Sequence, residues 1–140
     1  PVRARVPGAG TGTLSVTGGE SGAGSLAGGV VLTEWAAHLP WPGMEVFLRR
    51  LGEACVTSRI MGSGTLSVAA VACGRAAGAV IGEFHPEDHL AAVLCVVEAG
   101  GVCLDAMGRR TTWPEGPFLV AAPECAAELF TLWMGHPPLP

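Results

Sequence analysis

At 140 residues the chain suits one compact domain, and 49% apolar against 14% charged residues lets it bury a core and rules out a disordered chain. Its formal charge is −4 and all eight cations are arginines, so no basic patch points to nucleic acid or an anionic membrane, and a lysine-dependent phosphate loop is excluded. Apolar runs such as 91–97 fall well short of the ~18–20 residues of a membrane span, no charged segment leading into an apolar one opens the chain, and the five cysteines, odd in number, lacking a C-x-x-C pair and set in apolar runs, read as small buried hydrophobes in a reducing cytoplasm.

Residues 1–28 are glycine-rich. Val2 to Val6 and Thr13 to Thr17 alternate at period two and are predicted as short strands of a hairpin or sheet edge, with the glycine tracts 8–12 and 18–24 as loops. The pentapeptide Gly-Thr-Leu-Ser-Val occurs at 12–16 and 64–68 in unlike contexts and reads as a chance echo, not a repeat. From Gly29 the pattern sharpens. Val30 to Thr33 is a buried strand, and Pro42 starts a helix with Met44, Phe47, Leu48 and Leu51 on one face and Glu45 paired with Arg49 on the other. Residues 55–61 are a second strand, 63–74 a helix of small residues, and 79–84 a third strand. The helix 88–99 is apolar nearly all round, which predicts burial between layers, and Gly100-Gly101 ends it. A strand at 102–104, a turn at Met107-Gly108-Arg109 and a strand at 118–121 follow. Pro123 then opens a last helix with Ala126, Leu129, Phe130 and Trp133 on one face, before a tail at 135–140. Strand and helix alternate through 29–134, which predicts an α/β domain: a mostly parallel sheet covered by helices on both faces.

Chemistry concentrates in 62–101. Gly62-Ser63-Gly64 is a tight turn into a helix, suited to close backbone approach and to an anion at the helix N-terminus, and equally to a plain serine cap. Asp88 opens the next helix, where an acid caps free N–H groups; it is also a hard oxygen donor for a divalent cation. His85 and His89 stand four apart, a spacing that can share zinc, but Pro86 and the lack of a third ligand argue against it. Arg109-Arg110 reads as the cap of a solvated turn. No G-x-S-x-G elbow is present, and no basic group flanks a cysteine.

The succession Gly62-Ser63-Gly64, apolar helix, short strand, Glu87-Asp88 and Glu98-Ala99-Gly100-Gly101 resembles, in order and ungapped spacing, the C-terminal half of the inositol monophosphatase family of magnesium-dependent, lithium-sensitive phosphatases. Val31-Leu32-Thr33-Glu34 looks like the strand near the start of that half, and Phe118 to Pro123 resembles its late strand-to-helix junction. The resemblance implies the C-terminal subdomain of an αβαβα sugar-phosphatase fold. It implies Asp88 at a metal-ligand position for Mg2+, Gly62, Ser63 and Gly64 against the sugar or inositol, and His85 lining the pocket. It also exposes departures. Ile81 stands where many members have a glutamate that bonds a substrate hydroxyl; Glu83, two residues on and on the same strand face, is the substitute candidate beside the bland reading of a surface acid. Glu87 replaces the family's tryptophan and brings a negative charge to a phosphate site.

The family's N-terminal glutamate pair and its Asp-Pro-Ile/Leu-Asp-Gly-Thr signature do not occur, and family chains are about twice this length. The chain, opening at Pro1, is therefore expected to be the C-terminal part of a larger enzyme. By itself it should be inactive, because one aspartate cannot hold the metal ions. The expected function is a domain of a metal-dependent phosphomonoesterase of inositol or sugar phosphates, partnered by its missing half or by other copies through an open sheet edge. The alternative is a non-catalytic ligand-binding or oligomerisation descendant.

Overall fold

The computed structural model describes residues 25–35 and 40–138 together with the backbone of Arg3–Ala4 and Gly12–Thr13. β1 (Arg3–Ala4) and β2 (Gly12–Thr13) form a short antiparallel ladder, with Arg3 opposite Thr13 and Ala4 opposite Gly12. The rest of the strands expected at 2–6 and 13–17 lies outside the described residues.

The body alternates strand and helix through β3 (Val30–Thr33), α1 (Met44–Glu53), β4 (Thr57–Ile60), α2 (Gly64–Ala72), β5 (Gly78–Ile81), α3 (Pro86–Glu98), β6 (Val102–Asp105), β7 (Phe118–Ala121) and α4 (Pro123–Met134). One five-stranded sheet runs in the order β4-β3-β5-β7-β6. α1 and α4 make one helical layer, and α2 and α3 the other. β5 and β7 are buried at every position, as strands covered on both faces must be, and this is why they are runs of Ala, Val, Leu and Phe. Fully buried Phe118, Phe130, Leu119, Leu129, Val68 and Ile81 are among the largest pieces of the core. Gly78 lets α4 settle onto the sheet: a Cβ there would press into the Leu129 side chain and stand 2.9 Å from the Val120 carbonyl oxygen.

The expected mostly parallel sheet is only half right. β3 pairs with β4 and with β5 in parallel, but β7 pairs antiparallel with both β5 and β6. Four strands therefore run one way and β7 runs against them. The cause lies in the connections. Parallel neighbours need a crossover, usually a helix, and residues 106–117 between β6 and β7 contain none, so the chain doubles back and β7 slots in beside β6.

Other expectations also shift. α3 starts at Pro86 and buries one face (His89, Ala92, Val93, Val96) while Leu94 is exposed, so it covers the sheet and is not sandwiched. The third strand ends at Ile81 rather than 84. The second, Thr57–Ile60, is a half-exposed edge. Arg49 pairs with Glu53 at 2.8 Å, not with Glu45. Cys103 and Cys125 are buried as expected, but Cys55 and Cys73 are exposed, because each falls in the turn that leaves a helix rather than in an apolar run. The Met107-Gly108-Arg109 turn is present. Asp105 holds it, accepting from the Met107 N–H at 2.8 Å, from the Arg109 N–H at 2.9 Å and from Arg109 Nη2 at 2.8 Å. Among the described residues no helix is long and apolar enough to cross a membrane.

Candidate functional site

The carboxyl ends of the parallel strands β3, β4 and β5 open toward one side of the sheet, the edge at which α/β proteins place ligands. There a cleft of about 280 Å3 is lined by Glu34, Trp35, Gly62, Ser63, Gly64, Thr65, His85, Asp88 and His89. Three separate segments meet in it: the exit of β3, the turn into α2 and the start of α3.

The exit of β3 is held rigidly. Thr33 is buried, its Oγ1 donates to the Val80 carbonyl at 2.7 Å across the ladder, and it accepts from Trp41 Nε1 at 3.1 Å. Trp41 in turn packs against Gly82, where any Cβ would meet the Trp41 Cβ at 2.5 Å and its ring at 2.6 Å. Glu34 therefore leaves a fixed strand end. Burial pushes its carboxyl above the ordinary glutamate range, and the nearby Asp88 adds to that. His89, the Gly82 backbone and His85 draw it back without cancelling the rise.

The turn into α2 needs glycine at 62, whose φ is +68°. Ser63 caps α2, its Oγ accepting from the Leu66 N–H at 3.3 Å. Ser67 Oγ donates to the Ser63 carbonyl at 2.9 Å and fixes the cap from below. Thr65 Oγ1 donates to the Asp88 carbonyl at 2.7 Å, which locks the start of α2 to the start of α3. Pro86 in the first turn of α3 sets its entry, with Glu87 and Asp88 where the helix dipole favours acids.

His89 departs from the apolar character of its helix face. It is only 3% exposed, and its Nδ1 accepts from the His85 N–H at 3.0 Å. Phe84 stacks on the ring at 6.1 Å and Phe118 meets it edge-on at 5.6 Å between centroids, which fixes its orientation. With Nδ1 engaged, the two histidines do not offer the paired nitrogens that zinc would require.

The structure thus brings together Gly62, Ser63, Gly64, His85 and Asp88 of the residues singled out in sequence. Glu83 and Glu87 lie outside the cleft lining. Because β5 stops at Ile81, Glu83 sits in a bend and no longer shares a strand face with it. Its side chain is 75% exposed, and its carboxylate stands 3.6 Å from His85 Nε2. Ile81 is fully buried. Sequence reasoning passed over Glu34, Thr65 and His89 as cleft residues. Glu34 had a usable signal, a lone acid directly after a buried strand, whereas Thr65 and His89 had none that was local.

Asp88 and Glu34 are the carboxylates of the cleft. Among the described residues no three His, Cys, Asp or Glu side chains converge on a point where they could hold an ion. These residues therefore do not by themselves complete the oxygen shell of a hard divalent cation. A larger hollow of about 550 Å3 beneath the β6–β7 loop is lined by Asp105, Arg109, Arg110 and Trp113, but Asp105 and Arg109 are spent on holding their own turn.

The model of the inositol monophosphatase family matches residues 23–133. Inositol monophosphatase from Anabaena (Nostoc) sp. PCC 7120 is 27% identical with a TM-score of 0.71, over 85% of this chain and 48% of that one. The inositol monophosphatase of Thermotoga maritima is 24% identical with a TM-score of 0.68, over 79% of this chain and 41% of that one. The extragenic suppressor protein SuhB of Bartonella henselae is 22% identical with a TM-score of 0.69, over 83% of this chain and 46% of that one. The chain therefore spans less than half the length of these solved structures. No curated protein sequence matches it.

Proposed function

We propose, from the premise that this chain belongs to the inositol monophosphatase family, that it is the C-terminal domain of a metal-dependent phosphomonoesterase acting on inositol or sugar phosphates. The observation that carries the reading is the convergence of Gly62-Ser63-Gly64 and Asp88, more than twenty residues apart in the chain, in one cleft at the carboxyl ends of parallel strands. In that reading the capped turn and the free N–H groups at the start of α2 receive the oxygen-rich substrate, and His85 borders it. Asp88 is this chain's contribution to a Mg2+ site whose other ligands come from the remainder of the enzyme. Bound Mg2+ would supply Lewis-acid polarisation of the phosphate ester. Because the donor set among the described residues is incomplete, the 140-residue chain alone should not turn over.

A second reading, a non-catalytic ligand-binding or oligomerisation domain, draws on Ile81 being fully buried and on Glu83 and Glu87 lying outside the cleft lining. It leaves the site without the hydroxyl-binding acid expected at position 81.

Phosphate release from inositol and sugar phosphates, with and without Mg2+, separates the two. It is measured on this chain, on a chain extended upstream of Pro1 to the length of the relatives, and on Asp88→Asn in each. The extended chain should release phosphate only with Mg2+ and lose at least about tenfold on Asp88→Asn, the equivalent of about 1.4 kcal/mol of barrier. A folded extended chain that stays silent favours the second reading. Robust turnover by the 140-residue chain refutes the assignment of missing ligands.

A further inference from the structure

Gly64 is the point in the cleft where a side chain is least tolerable. A Cβ there would meet Glu34 Oε2 at 2.5 Å and His89 Nε2 closer still. Glycine at 64 therefore keeps open a space that Glu34 and His89 face from two sides. Their separation cannot exceed twice that distance, yet they make neither a hydrogen bond nor an ion pair with each other. The Glu34 carboxyl is also bonded by the Gly82 backbone and His89 Nδ1 is held by the His85 N–H, so the atoms left to face this space are Glu34 Oε2 and His89 Nε2. His89 Nδ1 accepts from the His85 N–H, so in the neutral ring the proton sits on Nε2 and that nitrogen is a donor. His89 is otherwise buried, but no buried side-chain nitrogen or oxygen among the described residues lacks a partner; among those residues Nε2 has none, so it opens to the cleft that His89 lines. Glu34 offers a carboxylate acceptor beside it, on the same lining.

A donor and an acceptor at this spacing fit one kind of atom well. A hydroxyl oxygen reaches hydrogen-bond partners at about 2.8 Å and can both accept and donate. Placed over Gly64, one hydroxyl accepts from His89 Nε2–H and donates to Glu34 Oε2. An oxygen of a phosphate dianion does not satisfy both, since it would face a carboxylate with no proton to give.

We propose that Glu34 and His89 form a hydroxyl-reading pair on the floor of the cleft, and that in this chain they perform the substrate-hydroxyl recognition that Ile81 cannot. The inference rests on the polyol-phosphate reading given above and deepens it. Glu34 and His89 contact the substrate hydroxyl, and Phe84 and Phe118 are positioning residues, since they pack on the ring of His89 and do not line the cleft. Gly64 belongs to the same device, as the absence of a side chain that leaves the hydroxyl its room.

The test titrates myo-inositol, which carries hydroxyls and no phosphate, into the isotope-labelled 140-residue chain, reading the His89 ring and cleft backbone signals by NMR. Inorganic phosphate with Mg2+ is titrated in a separate arm. Inositol should move the His89 Nε2–H signal. Glu34→Ala and His89→Leu should each weaken inositol binding about tenfold, as expected when a built polar site loses one partner. His89→Gln, whose amide N–H stands near the place of Nε2, should recover much of the loss, which a merely structural role would not allow. Unaltered backbone spectra away from the cleft check that each variant folds. The proposal is overturned if inositol binds with the His89 signals unmoved, or if both variants bind within twofold of the parent chain. If phosphate with Mg2+ shifts Ser63 and Asp88 while inositol shifts nothing, the hydroxyl pair fails and the phosphatase reading stands. If neither ligand shifts the cleft and the extended chain releases no phosphate, both fall.

Discussion

Gly78→Ala tests the register on which the whole site depends. The new methyl would point toward α4, press into Leu129, stand 2.9 Å from the Val120 carbonyl oxygen and 3.3 Å from Ala121 Cβ. Leu129 is fully buried and has nowhere to go, and the Val120 carbonyl belongs to the β5–β7 ladder, which pairs Gly78 with Ala121 and Ala79 with Val120. Overpacking of this kind costs about 1–3 kcal/mol; because a backbone oxygen is among the contacts, the upper end applies. Against it stands the lower chain entropy of alanine in the unfolded state, about 0.4–1 kcal/mol. The net expectation is a loss of about 2 kcal/mol, or a fall in Tm of about 8 °C for a domain of this size. Urea unfolding followed by tryptophan fluorescence measures it, with an unchanged m-value showing that the two states are the same. Leu129→Ala alone should cost about 2–5 kcal/mol. Combined with Gly78→Ala it should cost less than the sum by about 1 kcal/mol or more, since the new methyl then occupies the vacated space. A neutral Gly78→Ala, or strict additivity in the cycle, would show that α4 does not close on β5 in this register.

Ser63→Ala removes the cap of α2 and should destabilise by about 1 kcal/mol in the same urea assay; no change would mean that the Ser63–Leu66 bond contributes nothing. At Asp105, burial tends to raise the carboxyl, but the N–H groups of Arg109 and Met107 and the Arg109 guanidinium outweigh it and hold the group below the ordinary aspartate range. A lowered folded-state value means stability that is present above the unfolded value of about 3.9 and lost as pH falls through the folded one. Asp105→Asn should therefore cost about 1 kcal/mol at pH 7, shrinking toward zero below about pH 4. A difference independent of pH would contradict the assignment. Burial, with Asp105 adding to it, pushes the Cys103 thiol up to about 12. Iodoacetamide on the native chain should label exposed Cys55 and Cys73 and spare Cys103 and Cys125 until the chain unfolds, read by mass spectrometry of the peptides. Labelling of Cys103 at the rate of Cys55 would place it outside the core.

Much of the fold was legible because it is local. The period of Met44, Phe47 and Leu51 announced α1, Pro123 and the Leu129–Phe130–Trp133 face announced α4, and the apolar runs at 30–33 and 118–121 are β3 and β7. Element ends were less legible. Cys55 and Cys73 looked like interior residues in a one-dimensional apolar run, yet each stands in a turn after a helix. The roundly apolar α3 was expected between layers because composition counts apolar side chains without saying which of them meets a neighbour; Leu94 meets solvent.

In the site, the glycine-serine turn and Asp88 could be singled out because their residue types carry chemistry wherever they fall. Placing them together required only the strand–helix alternation and the resemblance. The sequence by itself determined the layered α/β class, the helical faces and the two segments that open α2 and α3, since each depends on residues a few positions apart. Tertiary structure alone decided that β7 runs against its neighbours, that Glu83 leaves the site, and that Glu34, Gly64 and His89 meet. Strand direction is set by where a loop returns, and the meeting of residues 34, 64 and 89 by how two helix starts dock on a strand end. Neither is encoded within any window of neighbouring residues.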